Sequence, residues 1–120
     1  MNYLSFILIS LVALLHFYFL ILEMFLWTQP RGLRVFGNTL EKAKSSAVLA
    51  ANQGLYNGFL SAGLVWSLLQ SNIEFAVQLK VFFLSCVVVA GIYGAYSVSR
   101  KILYIQAVPA ALGLLAVILS

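Results

Sequence analysis

The chain has 120 residues, 63 % of them hydrophobic and 8 % charged, with seven Lys or Arg against three Asp or Glu and a net charge of +4. Soluble domains carry about 25 % charge, so this composition argues against a soluble enzyme fold, a nucleic-acid binder and a disordered chain alike. A single cysteine, Cys86, precludes an internal disulfide, and one histidine with three acids cannot build a metal site of several side-chain ligands, so no metal and no cofactor is expected.

The ten charged positions leave charge-free windows at 1–22, 45–73, 81–99 and 102–120, which are 22, 29, 19 and 19 residues long. A helix needs roughly 20 apolar residues to cross hydrocarbon, so each window is a spanning candidate. The expectation is an all-α integral membrane protein, a four-transmembrane-helix bundle forming one domain over 1–120. The first span, 3–27, has no Lys or Arg before it and no small-x-small cleavage site after it, and is expected to be retained; Trp27 anchors it at the interface and Pro30, Arg31 and Gly32 stop it. The connector 28–45 follows. There Asn38 and Glu41 have the spacing of a capping box, which predicts a helix from Thr39 that enters the bilayer as the second span, 46–69. The third span covers 75–98, with Lys80 snorkelling outward near its start, and the fourth covers 102–120.

Six basic residues (Arg31, Arg34, Lys42, Lys44, Arg100, Lys101) fall in the first and third connectors, and only Lys80 falls on the other side. The positive-inside rule therefore predicts cytoplasmic first and third loops and both termini outside, in an inner membrane. Lipid headgroups explain the basic excess without any nucleic acid. Gly54 with Gly58, and Gly91 with Ala95, have small-xxx-small spacing, which lets helices approach closely either within the chain or against a second copy.

The residues that carry chemistry are those that cost energy where they sit. Glu23 lies inside the first span, where an acid costs about 2.5 to 3.5 kcal/mol at the helix centre and less toward an end. His16 is two turns earlier on the same stripe. With Leu15 as the centre of the first span, His16 sits near the midplane and Glu23 about 12 Å cytoplasmic of it. Asn57 lies near the midplane of the second span, Asn52 and Gln53 about 7 Å cytoplasmic of theirs, Gln106 about 7 Å on the fourth and Tyr93 about 10 Å on the third. Pro109 frees a carbonyl about four residues earlier and adds an acceptor. This matching of depth predicts a polar pocket in the cytoplasmic half of the membrane. His16 and Glu23 are its candidate catalytic residues, and Trp27, Asn52, Gln53, Tyr56, Asn57, Tyr93 and Gln106 its ligand-binding candidates.

Three uses of such a pocket stay open. The amides and ionisable pair can be interhelical glue in a purely structural protein. They can bind or isomerise a lipid-like or isoprenoid molecule, with Glu23 and His16 exchanging a proton or stabilising a cationic intermediate. Or Glu23 can couple proton movement to transport.

The run Leu49-Ala-Ala-Asn52-Gln53-Gly54-Leu-Tyr56-Asn57-Gly58, with the segments around Glu23 to Arg31, Val89 to Gly94 and Gln106 to Pro109, resembles the bacterial membrane-protein family known as domain of unknown function 1304. The resemblance covers nearly the whole chain and implies four transmembrane helices without an established activity. In length, span number and a Glu in the first span the chain is also similar in plan to small multidrug exporters. Its charge bias departs from their pattern, because six basic residues against one force a single orientation. The pocket residues are similar in chemistry to those of sterol isomerases of the emopamil-binding type, without their motif spacing.

Overall fold

The computed structural model describes residues 2–120. Among these, every regular element is helical: α1 Tyr3–Met24, α2 Pro30–Phe36, α3 Leu40–Leu69, α4 Ile73–Ser97, a π-helical turn Leu103–Ala107, and α5 Val108–Ile118. Two helices, α1 and α4, are long and apolar enough to cross a membrane. The expected four crossings are thus matched by two on this measure. The 30 residues of α3 have the length, but Asn52, Gln53, Asn57 and the lysines of its first turns lower its hydropathy. The last helix is apolar but is cut short at its start.

That shortening has a local cause. Pro109 has no N–H for the carbonyl four residues back, and its ring crowds that carbonyl. The helix answers with a wider turn, in which the Val108 N–H donates to Leu103 O. The fourth apolar stretch is therefore a π turn followed by an 11-residue helix.

The first connector also differs from expectation. Pro30 opens α2 at its first position, where its missing N–H costs nothing, so it starts a helix as well as following the end of one. Gly37 closes α2 at φ 63° and ψ 34°, the left-handed conformation that only glycine adopts without strain. The Asn38 N–H then donates back to Leu33 O at 2.9 Å, completing that closure. Asn38 is thereby taken up, and the cap of α3 passes to Thr39, whose Oγ1 accepts from the Lys42 N–H at 3.2 Å. Beyond the end of α3, Asn72 caps α4, its Oδ1 accepting from the Phe75 N–H at 3.0 Å, and Glu74 follows in the first turn, where the helix dipole favours an acid.

The chain divides into two compact units. One comprises the N-terminal residues through Leu14 together with Leu60–Ser120. Its core is built from Ile9, Val12 and Ala13 of α1, Leu64 of α3, Leu84 and Val87 of α4, and Ala110 and Val117 of α5. Ser61 ties α3 to α1 there by donating to Ala13 O at 2.8 Å. In the same unit Gly91 lies against the end of the π turn, so that an added Cβ would stand 2.7 Å from Ala107 N.

The second unit is Leu15–Phe59: the C-terminal part of α1, all of α2 and the first part of α3. Gly54 and Gly58 set how closely its two long segments approach. A Cβ on Gly54 would come within 2.8 Å of Met24 Cγ and 3.0 Å of Glu23 Cβ, and one on Gly58 within 2.6 Å of Leu20 Cδ1. The Gly58 neighbour is the end of a flexible side chain, whereas those of Gly54 lie close to the α1 backbone. We therefore expect Gly54→Ala to cost about 1 to 3 kcal/mol and Gly58→Ala clearly less, as reversible unfolding in mixed micelles will read. Equal costs would mean that the approach is set elsewhere. Both glycines are thus occupied by the chain's own α1.

Candidate functional site: a carboxylate held by two amides

The close approach of α3 to α1 has a chemical consequence. Gln53 and Asn57 are one helical turn apart and each precedes one of the two packing glycines, so both amides reach toward the same stretch of α1. Glu23, 2 % exposed, projects between them. Gln53 Nε2 donates to Glu23 Oε2 and Asn57 Nδ2 donates to Glu23 Oε1, each at 2.5 Å. Each carboxylate oxygen thus receives one N–H.

A carboxylate only accepts and an amide both donates and accepts. With their N–H groups turned to Glu23, Gln53 and Asn57 keep their carbonyl oxygens as acceptors. The cluster accordingly combines two amide acceptors with an ionisable carboxyl group. Among the described residues the hydrogen-bond partners of Glu23 are these two neutral amides, neither of which brings a countercharge. Gln53 is exposed on the unit's surface and Asn57 half-buried.

The remaining candidates fall as follows. His16 is fully buried on α1, with its ring edge-on to Phe19 at 5.6 Å; it lies two turns, about 10 Å, from Glu23 along the helix. Trp27 packs on Phe36 with ring centroids 5.0 Å apart and donates through Nε1 to Ser46 Oγ at 3.2 Å, pinning α2 and the start of α3 just beyond the carboxylate. Asn52 is exposed on α3 and is not one of the donors to Glu23. Tyr56 is exposed beside Phe59. Tyr93, 69 % exposed on α4, and Gln106, half-buried on the π turn, belong to the other unit.

Two features escaped the sequence reading. Arg31 of α2 donates to the Tyr18 hydroxyl at 2.9 Å, holding the short helix against α1. A Tyr thirteen residues before an Arg has no local spacing signal, and only the unforeseen turn at Pro30 brings them together. Lys80 does not snorkel: it is 5 % exposed and lines a cleft in the first unit. Its long stem allows either outcome, and nothing in its neighbours along the chain decides between them.

A small all-helical chain with two membrane-length apolar helices and a buried carboxylate–amide cluster is the class that fold and site define together. The chain belongs to the family described as protein of unknown function (DUF1304), whose model matches residues 10–118. It is 32 % identical over 118 residues to the uncharacterized protein YpaA of Lactococcus lactis subsp. lactis (strain IL1403), a match covering 97 % of this chain and 98 % of that one. No solved structure matches it significantly.

Proposed function

We propose that the protein crosses the membrane four times, with its first and third loops in the cytoplasm, and that the Glu23 cluster binds a lipid-like small molecule bearing a proton or positive charge, on which Glu23 acts as acid and base. Support for the crossings comes from the four charge-free windows and from six basic residues against one across them. One observation carries the site: a buried carboxylate whose partners are neutral amides. An unneutralised charge in hydrocarbon is costly, and the same charge facing a proton or a cation is not. The carbonyl oxygens of Gln53 and Asn57 add acceptors for an ammonium or a hydroxyl. His16, buried on the same helix, is the second group able to carry a proton.

Mass spectrometry of the gently purified full chain tests this. A protonatable or cationic amphiphile is expected to remain bound, and its retention is expected to fall about tenfold or more in Glu23→Gln, which keeps the shape and removes the charge. Unchanged retention in a folded Glu23→Gln protein would sink the reading and leave the cluster as a structural clamp. Uptake into liposomes driven by a pH gradient, lost in the same variant, would instead identify transport.

A further inference from the structure

A second polar site lies in the other unit, where α1 begins, α3 ends and α4 completes its second turn. It is a cleft of about 470 Å³ lined by Asn2 and Ser5, by Ser67 and Gln70, and by Lys80, with an apolar wall that includes Ile73, Val77 and Val117. Lys80 is 5 % exposed, and Ser5 and Ser67 are 1 % exposed, so these three polar side chains form its floor.

The hydrogen bonds define what the serines and amides of the cleft offer. Ser5 Oγ donates its proton to Asn2 O at 3.0 Å and Ser67 Oγ donates to Leu64 O at 2.6 Å, so neither hydroxyl has a proton left for a ligand. Asn2 Oδ1 accepts from the Ser5 N–H at 2.7 Å, and Gln70 Oε1 accepts from the Asn72 N–H at 3.1 Å. Each amide therefore keeps its NH2 group as the end able to donate. Two amide donors, Lys80 and Ser120 line the space, and among the described residues no Asp or Glu side chain does.

We infer that this cleft binds a phosphate group, with Lys80 supplying the charge and Asn2 and Gln70 the flanking donors. A compact ammonium acts on phosphate as a point charge, and phosphate has oxygens enough for all three donors at once. The apolar wall takes the first carbons of an acyl chain when the phosphate belongs to a lipid. In the topology proposed above the cleft lies on the side away from the six basic residues, so this cation stands apart from the positive-inside set. The site does not depend on the Glu23 cluster.

Thermal unfolding of the full chain in neutral detergent tests the assignment, with phosphatidylglycerol, a neutral glycolipid lacking phosphate, and inorganic phosphate as probes. Phosphatidylglycerol is expected to raise the midpoint by about 4 °C or more and the neutral glycolipid to raise it far less. Lys80→Arg should keep the shift and Lys80→Met should lose it. Should Lys80→Met fail to fold, Asn2→Ala and Gln70→Ala, at the edge of the cleft, each reduce the shift by about half. Inorganic phosphate that reproduces the shift and displaces the lipid assigns the site to the free anion, and phosphate without effect assigns it to the lipid headgroup. An equal shift with the neutral glycolipid, or a full shift in Lys80→Met or in both edge variants, overturns the inference.

Discussion

Glu23→Ala is expected to destabilise the protein by about 2 to 4 kcal/mol, while Glu23→Gln changes stability by about 1 kcal/mol or less. The two substitutions differ in what they leave behind. Alanine strands the donors of Gln53 and Asn57 next to a gap in a packed helix pair, so both hydrogen bonds and the packing of the side chain are lost. Glutamine keeps the volume and one acceptor oxygen, and the facing amides can turn a carbonyl toward its NH2 group. It also removes a buried charge, a gain that opposes the loss of two charge-assisted bonds. Reversible unfolding in mixed micelles measures both. A double-mutant cycle with Asn57→Ala should give a coupling of about 0.6 to 2 kcal/mol. Ligand retention in Glu23→Gln then reports function almost free of any stability effect. Equal destabilisation by both substitutions would mean that the charge itself holds the helices together.

The second large effect belongs to Gly91. Its neighbours are Ala107 Cβ and N, each at 2.7 Å, and Ala107 Cα at 2.9 Å from an added Cβ, none of which a rotamer change can move. Gly91→Leu should leave no native population, and Gly91→Ala should cost about 3 kcal/mol, at the upper end for overpacking. Thermal unfolding followed by circular dichroism checks both. The contact also depends on the π turn, because Ala107 is its last residue. Pro109→Ala allows that turn to tighten into ordinary α-helix, which rotates Ala107 relative to Gly91. It should partly rescue Gly91→Ala, and strict additivity of the two substitutions would show that the turn does not set the contact.

These elements separate what the sequence discloses from what it conceals. The helices were legible because apolar windows and charges are strong one-dimensional signals. The meeting of Glu23 with Gln53 and Asn57 was legible because buried polar groups must find partners, and depth along a helix follows from residue number alone. The α2 helix was not. Pro30 both ends and begins helices, and Gly37 decides in favour of α2 only through a left-handed closure that absorbs Asn38. The cap of α3 moved to Thr39 for the same reason. The π turn was hidden because Pro109 announces a lost hydrogen bond but not how the chain repairs it. Lys80 was misplaced because a side chain with four methylenes reaches water or a cleft with equal ease.

The order in which the Glu23 cluster assembles bears on how the chain is made. The amides that solvate the carboxylate lie 30 and 34 residues farther along. At about 5 to 20 residues per second, that interval is roughly 2 to 7 seconds of synthesis. In the topology proposed above, α1 would hold its acid throughout that interval without these two partners. The Tyr18–Arg31 and Trp27–Ser46 contacts, 13 and 19 residues apart, can close before they arrive, so the carboxylate of Glu23 is among the last groups of this unit to be paired.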